Sequence, residues 1–157
     1  MIVPEKIYTF LEILKYAQYK GDIKRQHFAV AIRRGKIITP IAYNYHRMNI
    51  FGKIRGTMHA EMNVTNYLVN TTKSVQFNKH KDRSSYYRKM GKTDMLVVRH
   101  SASGIRYSKP CSECLHTMKK LNYRRVYYSM DDGTLVCEKI SEIQSNYQTQ
   151  MSRHLKK

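Results

Sequence analysis

The sequence predicts an α/β fold, and three observations support that prediction. Short runs rich in β-branched and aromatic residues alternate with longer segments whose apolar residues recur at helical spacing. Residues 27–32 and 95–98 are almost continuously apolar, which is typical of strands covered on both faces of a sheet. The turn Asp131-Asp132-Gly133 is too short to join parallel strands, so the last two strands are predicted to pair antiparallel.

The first third of the chain is predicted to contain one helix and two strands. Residues 4–20 carry apolar side chains one turn apart on one face, which predicts an amphipathic helix. Residues 27–32 and 37–43 are β-prone and are separated by a short turn containing a glycine, which predicts two adjacent strands. Asn44 ends the second strand, and a loop is predicted over 45–56.

The middle of the chain is predicted to contain a second helix and a basic insertion. Thr57 is predicted to cap a helix over 58–70, which places His59 and Glu61 in its first turn. Residues 73–92 hold seven Lys or Arg against one Asp, with aromatic residues between them, and are predicted to form a long loop with a short helix near its end. This mixture is consistent with a solvated excursion and also with a groove for single-stranded nucleic acid.

The last third of the chain supplies the rest of the sheet. Its helix is predicted to begin at Pro110, because proline is favourable at a first helical position. The remaining predicted elements are a buried strand over 94–100, an extended segment over 105–108, a helix over 110–120, two strands over 126–129 and 134–140, and a polar tail over 141–157 that docks as a helix.

The chain is strongly basic and of single-domain length. Its 157 residues predict one domain over 1–157, with the basic insertion at about 73–92. Lys and Arg number 29 against 11 Asp and Glu, a formal net charge of +18. That excess predicts an anionic partner, namely nucleic acid, a nucleotide phosphate or an acidic protein, although a solvated basic surface would have the same composition.

The sequence predicts an intracellular, cytoplasmic protein without a membrane partner. No apolar run approaches the roughly 20 residues of a membrane span, and the N-terminus lacks the layout of a signal peptide. Three cysteines, two of them in a C-x-x-C, fit metal or redox chemistry in a reducing compartment better than a disulfide framework.

Two short segments predict the chemistry, His59-Ala60-Glu61 and Pro110-Cys111-Ser112-Glu113-Cys114. Together they match the H-x-E…P-C-x-x-C pattern of zinc-dependent deaminases. A catalytic zinc keeps three protein ligands and one open position for water, whose pKa it lowers toward about 7. Glu61 need not bind the metal and is the predicted catalytic proton shuttle. The predicted ligands of Zn²⁺ are His59, Cys111 and Cys114.

Each part of this pattern alone has other interpretations. A thioredoxin-like redox pair would leave His59 and Glu61 unexplained, and a zinc ribbon would need a second C-x-x-C, which the sequence lacks. The two halves of the pattern each open a predicted helix, where unpaired N–H groups and the helix dipole favour the thiolates that bind zinc. The joint pattern therefore favours a deaminase-type zinc site.

From the first helix to about Ile140, the chain resembles the cytidine deaminase-like superfamily. The resemblance implies a three-layer α/β/α sandwich with a mixed sheet of about five strands, the last of them antiparallel in this chain. The sequence of residues 59–63, His-Ala-Glu-Met-Asn, is most similar to the corresponding segment of deoxycytidylate deaminases, and Ala42-Tyr43-Asn44 resembles their Gly-Tyr-Asn segment. The family implies that Asn44 hydrogen-bonds the sugar or base of the substrate, that Ala60 contacts the substrate, and that the backbone near Ser108 and Lys109 faces the exocyclic amine.

Three features depart from single family patterns. Deoxycytidylate and tRNA-adenosine deaminases place a helix before a parallel last strand, whereas the turn over 131–133 predicts a hairpin similar to that of free-nucleoside cytidine deaminases. Those nucleoside enzymes usually carry Cys where this chain has His59. The basic insertion over 73–92 belongs to neither pattern. The segment over 108–133 resembles deaminase-like proteins of large DNA viruses, which is consistent with a viral origin.

The expected function is that of a zinc-dependent hydrolytic deaminase, which converts a cytosine nucleoside or nucleotide to its uracil form and releases ammonia. The alternatives are a nucleic-acid deaminase that uses the basic insertion as a strand guide, and a basic nucleic-acid-binding or virion protein on the same fold. The expected partners are a small nucleoside or nucleotide and, through the basic surface, nucleic acid; a homo-oligomer is left open. Arg47, Arg55 and Lys109 are candidate ligands for a substrate phosphate.

Overall fold

The structure is a computed structural model, and it describes residues 1–16, 25–50, 53–73 and 81–146. Within these ranges the chain forms four helices: α1 Glu5–Tyr16, α2 Ala60–Lys73, α3 Lys81–Met90 and α4 Ser112–Lys120. The strands are β1 Arg25–Arg33, β2 Lys36–Ile37, β3 Ala42–Tyr43, β4 Tyr45–Ile50, β5 Lys53–Met58, β6 Thr93–Ser101, β7 Gly104–Arg106, β8 Arg125–Ser129 and β9 Leu135–Lys139.

Seven of these strands form one mixed sheet, whose main path runs β2-β1-β6-β8-β9. The pair β6–β8 is parallel and the pair β1–β6 is antiparallel. β1 pairs with β6 along its full length, so β2 and β3 both lie on the other edge of β1. For the same reason β7 continues the line of β8 along β6. The sheet therefore has five positions, and its strand count exceeds the expected five because two of the positions are interrupted.

The interruption between β2 and β3 has a local cause. The N–H of Ala31 donates to the side-chain oxygen of Thr39 at 3.0 Å, where a regular ladder would use a backbone carbonyl. Thr39 is buried, and the next residue, Pro40, has no N–H to offer to a ladder. The single strand predicted over 37–43 is therefore two short strands, and between them the side chain of Thr39 bonds to β1.

Helices cover both faces of the sheet, which confirms the predicted three-layer α/β/α sandwich. On one face, α1 buries Leu11 and Leu14 against Phe28 and Val98 of the central strands. Each such side chain contributes about 1.5–3 kcal/mol when it is fully removed from water. On the other face, α2, α3 and α4 form a second core. That core includes Val64, Met90, Leu115 and Met118 from the helices and Ala29 and Val97 from the sheet.

The final two strands form the antiparallel hairpin that the sequence predicts. The carboxylate of Asp132 accepts hydrogen bonds from the N–H and the hydroxyl of Thr134, at 2.9 and 2.6 Å. Gly133 has a φ of +83°, a conformation in which a side chain would be strained. The Asp-Asp-Gly turn is thus fixed by a side-chain bond and by the glycine.

The segment before α2 differs from its prediction. Residues 45–50 and 53–56 of the predicted loop belong to the antiparallel strands β4 and β5, and Thr57 lies in β5 instead of capping a helix; residues 51 and 52 lie outside the described part of the chain. α2 begins at Ala60, because the carbonyl of His59 accepts the first intrahelical bond, from Asn63 at 3.0 Å. His59 is consequently the cap residue, not a member of the first turn. Apolar and polar residues alternate over only a few positions of each strand, and the glycines at 52 and 56 favoured the prediction of a loop.

The basic insertion and the tail are described only in part. The predicted short helix is α3, whose last residue, Met90, is fully buried. Residues 74–80 lie outside the described residues, as do 17–24, where the first helix was predicted to end, and 147–157 of the predicted tail helix. Residues 141–146 are not helical, but Ile143 is buried and its carbonyl accepts a bond from the Lys119 ammonium at 2.7 Å. No helix in the described part of the chain is long and apolar enough to cross a membrane.

Candidate metal centre

Two of the predicted ligands occupy equivalent positions at helix starts. His59 immediately precedes α2, and Cys111 caps α4 with an extended backbone at φ −70° and ψ 166°. The carbonyl of Cys111 accepts a bond from Leu115 at 3.0 Å, as that of His59 does from Asn63. Both helices pack on the same face of the sheet. Their N-terminal ends, with unpaired N–H groups and positive dipole ends, therefore surround one site.

The three predicted ligands come together in space. The Nδ1 atom of His59 lies 3.3 Å from Sγ of Cys114 and 3.5 Å from Sγ of Cys111. All three ligand atoms lie within 4.8 Å of one another. A tetrahedral ion with metal–sulfur bonds of about 2.3 Å and metal–nitrogen bonds of about 2.05 Å would place nitrogen and sulfur about 3.6 Å apart. The cluster could therefore hold a metal ion with little rearrangement.

The charges of the cluster suit a cation. A hydrogen bond from Cys114 lowers the pKa of Cys111 to about 4, against an opposing effect of burial. The same bond and burial raise the pKa of Cys114. Burial alone would lower the pKa of His59, but its hydrogen bond with Cys111 and the charge of Glu61 outweigh burial and raise that pKa to about 9. One thiolate is thus present at neutral pH, and a metal ion would displace protons from the other two ligands.

Glu61 lies beside this cluster and is not one of the three grouped ligands. It is the second residue of α2, its side chain is 4% exposed, and its charge acts on His59. Burial raises the pKa of its carboxyl group, with His59 opposing the shift. A buried carboxyl whose basicity no metal consumes can exchange protons with a bound reactant.

The three predicted substrate residues lie on different elements of the fold. Asn44 follows β3, and its side-chain oxygen accepts a bond from the N–H of His27 at 3.1 Å. Ala60 is fully buried as the first residue of α2, where its N–H has no intrahelical acceptor. Ser108 is buried at the end of the segment that leads to α4.

Ser108 is already engaged in a network that joins the strand ends. Its hydroxyl donates to the carbonyl of Val97 at 2.9 Å and accepts from the N–H of Ser129 at 2.8 Å. Its own N–H donates to the carbonyl of Ser129 at 2.9 Å. A substrate contact through Ser108 would therefore use its carbonyl oxygen, which is a suitable acceptor for an amine.

His27 and Arg99 were missed by the sequence analysis. They face each other directly across β1 and β6. They continue the rows of Ala29 and Val97, whose side chains pack in the same core as Ala60. Among the described residues, the buried Nε of Arg99 has no hydrogen-bond partner. The pairing of β1 with β6 brings them together, and no sequence motif indicates it.

The structure describes the side chain of only one of the three candidate phosphate ligands, Lys109. The Lys109 ammonium lies 3.1 Å from the carboxylate of Glu138 and 5.7 Å from the ring centre of Tyr128. These contacts already compensate its charge. Arg47 and Arg55 belong to β4 and β5, and their side chains lie outside the described part of the structure.

The pKa of His27 predicts a measurable dependence of stability on pH. Burial, and then the charge of Arg99, lower this pKa from 6.5 to about 4. The unfolded chain therefore takes up a proton at a higher pH than the folded protein does. Above pH 6.5 His27 is neutral in both states and does not affect the free energy of unfolding. As the pH falls from 6.5 toward 4, protonation of the unfolded chain lowers that free energy by up to about 3 kcal/mol. We expect a His27→Gln variant to lose correspondingly less stability over that range.

Urea unfolding of both proteins, measured with metal removed, checks this expectation. The metal ligands titrate in both proteins, so the difference between the two pH profiles reports on His27 and on its electrostatic interaction with His59. Parallel pH profiles for the two proteins would contradict it.

Comparison with known proteins adds no assignment. No protein-family model matches this chain, and no curated protein matches it significantly.

Proposed function

We propose that the protein is a zinc-dependent hydrolytic deaminase of a cytosine nucleotide. The observation that carries this proposal is a cluster of one histidine and two cysteines at two helix starts, beside a buried carboxyl group that is not part of it. Three protein ligands are typical of catalytic zinc, whereas structural zinc has four. Among the described residues, the remaining cysteine, Cys137, packs with α1 in the core on the opposite face of the sheet.

The donor set supports zinc as the ion. Thiolate and imidazole ligands in a tetrahedral arrangement favour zinc over the hard cations that prefer oxygen. When bound, zinc would supply a water molecule activated for attack at neutral pH. His59, Cys111 and Cys114 would hold it from the two helix starts.

Glu61 would move the protons. Its raised pKa lets the carboxylate accept a proton from the attacking water and then release it. We assign it delivery of that proton to the ring nitrogen beside the reacting carbon, and later transfer of the remaining proton of the added hydroxyl to the departing amine, so that the C–N bond breaks as the carbonyl forms. Net hydrolysis consumes one water and releases ammonia, so Glu61 ends in the state in which it began.

The surrounding backbone would orient the base. The N–H of Ala60 points from the open end of α2, where a carbonyl oxygen of the substrate could accept it. The carbonyl of Ser108 could accept from the exocyclic amine, since its other groups are engaged. The side-chain oxygen of Asn44 accepts a hydrogen bond from the N–H of His27, so its amide nitrogen would be the donor to the sugar.

Arg99 favours a nucleotide over a nucleoside. A guanidinium whose buried Nε finds no partner in the described part of the chain is costly unless an anion binds it. A monophosphate would supply oxygen acceptors in the forked geometry that arginine prefers. Arg99 therefore replaces Lys109, whose charge Glu138 compensates, as our candidate for phosphate recognition.

Ammonia release from a panel of substrates tests the function. Cytidine, deoxycytidine, dCMP, dCTP, guanine and cytosine-containing oligonucleotides should be compared with zinc-loaded protein. We expect turnover of a cytosine mononucleotide, and no ammonia from any member of the panel would contradict the proposal.

Replacing Arg99 tests the preference for a nucleotide. We expect Arg99→Gln to lower kcat/KM for dCMP about 10- to 100-fold, the effect of losing hydrogen bonds to a charged group. The value for deoxycytidine should change little. Lys109→Gln is the matched control, since it removes a nearby charge that is already paired. If Lys109→Gln, and not Arg99→Gln, affected dCMP selectively, the assignment would pass to Lys109.

A further inference from the structure

A second cationic feature lies away from the metal centre. It is a cavity of about 600 Å³, which we call the basic pocket. The β1–β2 turn forms one side of it, and the last turn of α3 with the residue before β6 forms the other. Its cationic lining residues are Arg33, Arg34, Lys36, Arg88, Lys89 and Lys92.

The charge of the basic pocket is uncompensated by its own lining. Among the described residues, no Asp or Glu lines it; Ile38 and Ser85 complete the wall. Burial, with the charge of Arg34 as a smaller contribution, lowers the pKa of Arg33 although tyrosine neighbours oppose this shift. Six like charges around one cavity repel one another, and an anion in the cavity would relieve that repulsion.

Helix stabilisation accounts for only part of this cluster. Arg88 and Lys89 occupy the last turn of α3, where cations interact favourably with the helix dipole. The same reasoning does not apply to Arg33, Arg34 and Lys36, which come from a β-turn. The convergence of cations from two unrelated elements on one cavity therefore calls for a shared anion.

Local structure holds two of these cations, Arg33 through a side-chain hydrogen bond and Arg34 through the turn. The Nε of Arg33 donates to the hydroxyl of Thr93 at 2.9 Å, and that hydroxyl donates to the carbonyl of Lys89 at 2.8 Å. Arg34 has a φ of +52° and Gly35 a φ of +68°, the conformation of a two-residue hairpin turn. Asn or Asp is the favoured residue at the position of Arg34, so the turn accepts a conformational cost and carries a charge.

The basic pocket is separate from the metal centre. Arg33 ends β1, whereas His27, which lies near the metal centre, is six positions earlier in the same strand. That separation is about 20 Å along a strand. A mononucleotide bound at the metal centre would not fill the basic pocket.

We propose that the basic pocket binds an oligophosphate, that is, two or more neighbouring phosphate groups. Its volume exceeds that of one phosphate, and its three arginines and three lysines offer both forked and single donors to phosphate oxygens. The phosphates come either from a nucleic acid strand or from a free polyphosphate chain such as that of a nucleoside triphosphate. This binding does not depend on the deaminase activity.

The test compares two charge-matched variants of the full-length protein. The pocket variant carries Lys36→Gln, Arg88→Gln and Lys92→Gln, three exposed positions in the basic pocket. The control carries Lys15→Gln, Lys120→Gln and Lys139→Gln, three exposed lysines elsewhere. The probes are inorganic tripolyphosphate, followed by calorimetry, and a labelled single-stranded oligonucleotide, followed by anisotropy at several salt concentrations.

We expect the pocket variant to bind tripolyphosphate about tenfold more weakly than wild type, and the control to bind it normally. If the source is a nucleic acid, the slope of log affinity against log salt for the oligonucleotide should be smaller in magnitude by about 2 in the pocket variant, because each of the three lost phosphate contacts contributes roughly 0.7. Loss with the oligonucleotide, with or without loss with tripolyphosphate, assigns the pocket to a nucleic acid backbone, and loss with tripolyphosphate alone assigns it to a free polyphosphate. Equal effects of the two variants on both probes, or no effect, would overturn the proposal.

Discussion

A Glu61→Gln variant is expected to retain its metal ion and to lose activity about 10²- to 10⁴-fold in kcat, the usual contribution of a positioned acid–base group. Gln has almost the same shape as Glu, so the buried site should keep its packing, but an amide cannot accept and return a proton. Metal content per chain and ammonia release, measured on the same preparation, distinguish loss of the proton-transfer group from loss of the metal ion.

Glu113→Gln is the matched control for Glu61. Glu113 lies between the two cysteines in α4 and also acts electrostatically on His59, but its side chain is not buried as that of Glu61 is. We expect this control to keep most of its activity. Full turnover by Glu61→Gln would remove Glu61 from the mechanism, and loss of metal in that variant would show that it acts as a ligand.

Replacing either cysteine of the cluster is expected to remove the metal ion and, with it, the activity. Cys111→Ser and Cys114→Ser each leave two of three ligands, and the hydroxyl that replaces the thiol is a poor zinc ligand at neutral pH. We expect the metal affinity to fall more than about hundredfold, because even replacement of residues that only support the ligands costs 10- to 100-fold. Elemental analysis after dialysis against a weak chelator measures this loss.

Cys137→Ser provides the internal standard for that experiment. Cys137 is buried like the other two, but it lies on β9 in the core beneath α1. Its replacement should cost some stability and leave the metal content unchanged. If all three serine variants kept a full complement of metal, the cluster would not be the binding site.

The metal cluster was the part of the molecule most accessible from the sequence. His59, Cys111 and Cys114 were named because they match the H-x-E…P-C-x-x-C pattern of zinc-dependent deaminases, and the predicted helix start at each half of the pattern supported that match. The three-layer fold followed from apolar runs and a resemblance, and the Asp-Asp-Gly turn predicted the antiparallel last pair. In these places a few adjacent residues determine the structure.

The features that the sequence did not indicate depend on contacts between distant segments. Arg99 could be recognised as a candidate site residue only from the pairing of β6 with β1, which places it opposite His27. The basic pocket needs the β1–β2 turn and the end of α3 to meet, although they are about fifty residues apart in the chain. The strands β4 and β5 alternate apolar and polar residues over only a few positions, and the two glycines in this segment outweighed that short pattern.

The positions of His59 and Cys111 also have a consequence for folding. The two residues are 52 apart in the chain, and each caps a different helix. A metal ion that joins them would act as a reversible cross-link of the folded chain, and the stabilisation would grow with the logarithm of the free metal concentration relative to its Kd. The ion would join them only where the two helix starts are held together, as they are in the folded chain. Removal of the metal would therefore lower the free energy of unfolding as well as abolish the proposed activity.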